Sequence, residues 1–227
     1  MKLFELSSGA RDYRFSPFVW RILLALEHKG LAYERVPCRF TDKSAFAPSG
    51  AQTVPTIEDE GKWVSDSWAI ACYLEDRYPD RPSLFGGESG RGMAHFIHLW
   101  SDRAILAALF PMLAADICAL LEPEDALYFR TTREKRLGRT LEEAAAGRET
   151  AVLAFRQSLW PLETALAARP FLGGDKPFYA DYALFGPFQW ARCCSRFEVL
   201  EDRSAIAAWR ERMLDLHDGF ARRAQRP

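Results

Sequence analysis

Apolar residues in the first eighty or so positions recur with two alternating periods. Lys2–Leu6 alternates polar and apolar side chains and runs into Ser7-Ser8-Gly9, the pattern of a short strand entering a loop. Val19, Ile22, Leu23 and Leu26 then return every three or four residues, so a helix is expected there. Ser16 can cap it, Pro17 suits its first turn and Gly30 its end. Tyr33–Val36 reads as a second strand and Phe40–Pro48 as a short irregular helix. Val54–Glu58 and Lys62–Val64 bracket the turn residues Asp59-Glu60-Gly61 as a hairpin. A third helix is expected from Asp66 to Tyr78, with Ile70, Ala71, Leu74 and Tyr78 on one side, stopped by Pro79 and Pro82.

Past a linker over Arg81–Gly90 the period is helical throughout. Met93, Ile97, Trp100 and Ala104 share a face, and Pro111 is expected to kink or end their helix. Val152, Phe155, Leu159, Leu162 and Leu166 form a second stripe, and Trp209, Met213, Leu216 and Phe220 a third. Tyr182–Ala191 is apolar on nearly every side, as in a helix enclosed by a bundle. The order β-α-β-α-β-β-α followed by helices alone predicts a small α/β domain over residues 1–82 and an all-α helical-bundle domain over residues 91–227.

Composition narrows the function classes. A chain of 227 residues, 48% hydrophobic and 13% aromatic, can build two real cores. A net charge of −1 gives no ground for nucleic acid or an anionic membrane as partner. Five cysteines, Cys38, Cys72, Cys118, Cys193 and Cys194, form no CxxC pair and fit free thiols in a reducing compartment. Met1–Leu6 lacks a signal-like apolar run, and no unbroken stretch reaches the roughly 18 apolar residues of a membrane span. A cytoplasmic protein is expected.

Two dipeptides carry candidate chemistry. Val54-Pro55 can be an ordinary trans proline opening a strand. With a cis bond it would instead turn the Val54 N–H and C=O outward, to pair with an extended ligand as an added strand does. Ser65-Asp66-Ser67 stands at a helix start, where Ser65 or Asp66 can simply cap. The same backbone N–H groups and helix dipole can also seat a carboxylate on Ser67, with Asp66 facing an ammonium group.

Strand-loop-helix, Val-Pro opening a hairpin, an acidic-Ser pair starting the next helix and then an all-α domain together resemble the glutathione transferase superfamily, over essentially the whole chain. The resemblance implies a thioredoxin-like first domain with a cis-proline at Pro55. It implies glutathione as cosubstrate, positioned by Val54 and Pro55 and held at its γ-glutamyl end by Asp66 and Ser67. A homodimer is implied as well, with a small hydrophobic electrophile between the domains against aromatics of the helical one. The thiol-activating residue is a Ser, Tyr or Cys of the first loop; Ser16, immediately before the helix, is the candidate, with Ser7, Ser8 and Tyr13 as competitors. A hydroxyl donating to the sulfur at a helix N-terminus lowers a thiol pKa of about 8.5, and the thiolate attacks an electrophilic carbon.

Within the superfamily, Ser16–Arg21, Trp63–Trp68 and Tyr78–Pro82 are similar to the bacterial β-etherase group, which cleaves aryl ethers of lignin-derived compounds with glutathione. Two positions depart from the family pattern. Thr53 stands where Gln commonly precedes Val-Pro, and Phe178 stands first in the Ser/Thr-x-x-Asp cap that ends at Asp181. The rival readings are glutathione-dependent thiol-disulfide or peroxide chemistry, which favours Cys in the loop, and a non-catalytic glutathione or ligand carrier.

Other polar features read as follows. Lys43 either reaches the glycine carboxylate of glutathione or is solvated. His95, His98 and Asp102 share a helix face without a fourth metal ligand, and suit a polar lining of the cleft or of a subunit interface. Arg130, Arg133, Lys135, Arg136 and Arg139 read as a solvated basic face, and Cys193-Cys194 as buried small apolar residues.

Overall fold

A computed structural model describes residues 1–227. Strands β1 (Lys2–Leu6), β2 (Glu34–Cys38), β3 (Thr56–Asp59) and β4 (Lys62–Ser65) form one sheet in the order β2-β1-β3-β4. β1 pairs parallel with β2 and antiparallel with β3, and the hairpin β3-β4 is antiparallel, with Ile57 opposite Val64. The parallel pair requires a crossover, supplied by α1 (Pro17–Lys29). A 3-10 helix (Ser44–Ser49) takes the place of the irregular helix, and α2 (Ser67–Arg77) follows the hairpin with Asp66 as its cap. This is a thioredoxin-like layer of sheet and helices.

The second domain is helical: α3 (Glu88–Trp100), a π-helical stretch (Ser101–Leu106), α4 (Ala107–Leu120), α5 (Pro123–Leu137), α6 (Leu141–Ala145), α7 (Arg148–Ser158), α8 (Trp160–Ala167), α9 (Tyr179–Cys194) and α10 (Ala205–Gly219). From Glu88 to Leu120 the helix runs 33 residues without interruption, long and apolar enough by composition to span a membrane, and part of it packs on α9. Two expectations change here. Pro111 neither ends nor breaks the run, and the irregularity lies earlier, in the π-helical turn. The stripe Met93, Ile97, Trp100 and Ala104 is divided: Met93 and Ala104 are exposed, whereas Ile97 and Trp100 are half-buried against the core. The face turned inward is Ala94, His98, Ser101 and Ile105, smaller or more polar, and therefore invisible to a search for large apolar residues.

Val152, Phe155, Leu159, Leu162 and Leu166 are all buried, although Leu159 breaks the backbone between α7 and α8. Trp209 and Met213 are buried too, but the third stripe breaks where Leu216, His217 and Asp218 leave helical geometry. The linker is tied down: Leu84 and Phe85 are buried, and the Leu84 carbonyl accepts from Tyr179 N–H at 2.8 Å.

α9 is buried almost throughout, as its all-round apolarity foretells, and it packs on α1 across the domain boundary. Gly186 makes that approach feasible, since a Cβ there would sit 2.4 Å from the Pro17 carbonyl oxygen. Asp181 holds the start of α9. Its carboxylate accepts from the N–H groups of Phe178 (3.1 Å) and Leu172 (2.9 Å) and from Trp209 Nε1 (3.0 Å). The Phe178 ring offers no acceptor in return, so the Asp181 N–H turns to the Phe178 carbonyl at 2.9 Å. Asp181→Ala leaves three donors without their acceptor in the interior, at about 1–3 kcal/mol for each. Urea unfolding of this variant should show a stability loss of about 3 kcal/mol or more; a loss below about 1 kcal/mol would contradict this role.

Candidate active site

Three backbone features converge where the sheet meets α1 and α2. The Val54-Pro55 bond is cis, Pro55 is buried, and neither the N–H nor the C=O of Val54 is taken by another backbone group. The Pro55 carbonyl accepts from Asp66 N–H at 3.3 Å, which ties the proline turn to the start of α2. Asp66 has φ of +81°, a region costly for a residue with a Cβ, and uses one carboxylate oxygen, Oδ1, to cap Trp68 N–H (2.9 Å) and Ala69 N–H (3.0 Å). Capping and an open carboxylate thus coexist in Asp66, because Oδ2 is not part of the cap.

Ser16 is the N-cap of α1, its Oγ accepting from Val19 N–H at 3.4 Å while its own proton is free to be donated. Two of the competing hydroxyls are engaged within their own loop. Ser7 donates to Asp12 (2.9 Å), and Ser8 accepts from Tyr13 N–H (3.0 Å).

Between the domains lies a cavity of about 690 Å³ lined by Ser16, Val54, Pro55, Asp66 and Ser67, and not by Ser7, Ser8 or Tyr13. Its opposite wall is aromatic. Phe110 of α4 stacks on Trp190 of α9 with planes 6° apart, and Phe40 meets Phe129 of α5 at 5.6 Å. Arg39, Lys43, Gln52 and Asp102 add polar groups, and Arg133 and Arg136 add two cations from α5.

These charges are distributed unequally. Arg39 is paired with Asp125 (2.8 Å) and Glu124 (3.3 Å), and Asp125, fully buried, also accepts from the Thr41 N–H and hydroxyl. Asp102 is paired with the buried Arg21 at 2.6 Å. Lys43 approaches Gln52 at 3.4 Å. Cys38 lines the cavity as well, but burial pushes its thiol up to about 11 and its proton is directed to the Val36 carbonyl. It is therefore a poor source of thiolate.

Family models for the glutathione S-transferase N-terminal domain and C-terminal domain match residues 15–77 and 92–221. The chain belongs to the glutathione S-transferase family. A curated relative, the glutathione S-transferase-like protein ustS of Aspergillus flavus, is 27% identical over 90% of this chain and 80% of its own. The glutathione transferase GSTFuA3 of Phanerochaete chrysosporium superposes with a TM-score of 0.77 at 29% identity, covering 96% of this chain and 91% of that one. A glutathione S-transferase of Ceriporiopsis subvermispora, solved in complex with glutathione, gives 0.77 at 25% identity over 96% and 92% of the two chains.

Several lining residues carry no signal in the sequence. Gln52, one position before Thr53, lines the cavity and accepts from Lys43 at 3.4 Å. The basic cluster on α5 divides: Arg130 pairs with Glu134 and Glu142 at 2.8 Å, Lys135 and Arg139 are exposed, and Arg133, half-buried, and Arg136, exposed, also line the cavity. His95 and His98 also part, His95 stacking on Trp68 at 4.4 Å and His98 lying 3.6 Å from Asp102.

His98 also lies 3.3 Å from the Tyr179 hydroxyl, which reaches the Ser67 carbonyl at 3.1 Å and so braces the start of α2 from α9. Burial, with Arg21 adding to it, lowers the His98 pKa from 6.5 to about 4. The folded chain then binds this proton more weakly than the unfolded chain. The stabilisation is complete above pH 6.5 and is lost as pH falls towards 4. His28 and His217, also lowered by burial, act in the same direction. Urea stability should therefore drop between pH 6.5 and 4, with up to about 3 kcal/mol of the drop from His98. His98→Gln should flatten the profile, and an unchanged slope would remove His98 as its source.

Proposed function

We propose that this chain is a glutathione transferase or glutathione-dependent lyase that attacks a hydrophobic aromatic electrophile. The observation that carries the reading is one cavity with two unlike walls. Ser16, Val54, Asp66 and Ser67 line one side, and Phe110, Phe129 and Trp190 the other. On this reading residues 1–82 hold the tripeptide. The Val54 backbone pairs with its extended chain, the N–H groups at the start of α2 take the γ-glutamyl carboxylate, and Asp66 Oδ2 takes its ammonium. Lys43 is the cation suited to the glycine carboxylate. Residues 91–227 supply the aromatic wall.

Ser16 can receive the Val19 N–H and donate its own proton to the thiol sulfur at once. That hydrogen bond and the positive end of α1 stabilise the thiolate at neutral pH. The sulfur then bonds to the electrophilic carbon and the bond to the leaving group breaks. In a β-aryl ether, which the motif likeness to the β-etherases brings forward, the C–O pair leaves as a phenolate and takes a proton from solvent. Thiol-disulfide chemistry is disfavoured because the lining cysteine, Cys38, is held protonated. Five unpaired cysteines support a cytoplasmic location.

The test is glutathione binding by calorimetry, followed by turnover of chlorodinitrobenzene and of a β-aryl ether. Ser16→Ala should lower kcat roughly ten- to hundredfold, the value of a hydrogen bond to a charged group, while glutathione still binds. Binding without turnover in the wild type would favour the carrier; no glutathione binding would overturn the proposal.

A homodimer is part of the same reading. Met93, Phe96 and Leu99 on the outer side of α3 are 64%, 62% and 48% exposed, an apolar face suited to a second copy of the chain. Sedimentation should give twice the chain mass of 25.8 kDa, and Phe96→Asp should shift it to the monomer. A wild-type monomer at micromolar concentration would refute this.

A further inference from the structure

We propose that the electrophile taken by this cavity is an aromatic anion, carrying a carboxylate, sulfonate or phosphate that is seated on Arg133 and Arg136. The proposal rests on the transferase reading above and names the substrate class of the same site.

Of the charged groups lining the cavity, those near the sheet are accounted for. Arg39 is neutralised by Asp125 and Glu124, Asp102 is held by Arg21, Asp66 caps α2, and Lys43 lies against Gln52. Arg133 and Arg136 have no carboxylate within ion-pair distance, although the neighbouring Arg130 has two. One turn apart on α5, they project from the same side of the helix.

Both guanidinium groups, Arg133 half-buried and Arg136 exposed, lie over aromatic faces rather than beside acids. Arg136 lies 4.2 Å from the Phe110 ring centre, and Arg133 lies 5.1 Å from that of Phe129 and 5.8 Å from that of Phe40. Stacking of this kind holds the plane of an arginine and leaves its N–H edges for an acceptor. Arg133 spends one Nη1 proton on the Thr132 hydroxyl (2.9 Å), and Arg136 donates to no protein group. Burial and the like charge of Arg136 both disfavour the Arg133 cation. An anion between the two would relieve that repulsion and accept several charge-assisted hydrogen bonds. The rings that stack on the arginines also line the cavity, so one ligand can place its aromatic body against Phe110 and Trp190 and its anion on α5.

The reaction is ordinary aromatic substitution: the glutathione sulfur bonds to the ring carbon, the C–Cl pair leaves as chloride, and the thiol proton passes to solvent. A matched pair of electrophiles tests the inference, neutral chlorodinitrobenzene and the anionic chlorodinitrobenzoate, with wild type and the double variant Arg133→Gln/Arg136→Gln. The benzoate-to-benzene ratio of kcat/KM should fall about tenfold or more in the double variant, as expected for loss of charge-assisted bonds. The fall should lie chiefly in KM, and lysine at both positions should restore part of it. A ratio compares two substrates on the same folded protein, so reduced stability of the variant does not imitate the result.

An unchanged ratio would overturn the proposal while leaving the transferase reading intact. If neither compound is turned over, the transferase reading fails, and quenching of tryptophan fluorescence by nitrobenzoate against nitrobenzene, without glutathione, still decides the arginines. Preference for nitrobenzoate that disappears in the double variant supports them, and equal binding removes them.

Discussion

The close passage of α9 over α1 at Gly186 is the contact on which the rest depends. With no side chain at Gly186, α9 runs against the first turn of α1, and that turn is where Ser16 sits. Arg21, one turn further along α1, uses the same proximity. Fully buried, it donates to the Ala183 carbonyl (3.2 Å), to Ser101 (3.1 Å) and to Asp102 (2.6 Å). A buried charge is tolerated only when it is so supplied with partners. The π-helical turn that carries Ser101 and Asp102 brings those partners to it. The site is thus a product of interdomain packing and does not belong to either domain alone.

Each wall repeats a division of labour. On the sheet side, backbone geometry makes the site: the cis turn, the positive φ of Asp66 and the first turns of α1 and α2. On the helical side, apart from the π-helical turn that carries Asp102, the lining residues stand on regular helices, and side-chain identity makes the site. The first wall suits recognition of a constant, peptide-like partner through groups every residue possesses. The second suits a partner that differs between relatives, because any of its residues can be replaced without disturbing a turn.

This division also explains what could be read from the chain. Val54-Pro55, Ser16 and Asp66-Ser67 are legible because turns and caps restrict residue type at fixed spacing. The enclosed helix Tyr182–Ala191 is legible because burial on all sides leaves no polar face. The inward face of α3 and the π-helical stretch is hard to read from sequence, since Ala94, His98, Ser101 and Ile105 form a weaker apolar stripe than the exposed Met93, Phe96 and Leu99. Arg133 and Arg136 could not be separated from Arg130 by sequence, because only the positions of Glu142 and of the rings beneath them distinguish a paired arginine from a stacked one. Gln52 lines the cavity from a loop, where spacing carries little weight.

Asp125 gives the cavity a property of its own. By binding Arg39 and Thr41 while embedded in α5, it stitches the segment leaving β2 to the helix that supplies Tyr128, Phe129 and the two free arginines. The rim on that side is consequently assembled when the chain folds, and the entropy of ordering it is spent before any ligand arrives. Ordering of residues 39–41 is then no part of the cost of binding. New specificities on such a scaffold would come by exchanging residues along α5, with the stitch itself left in place.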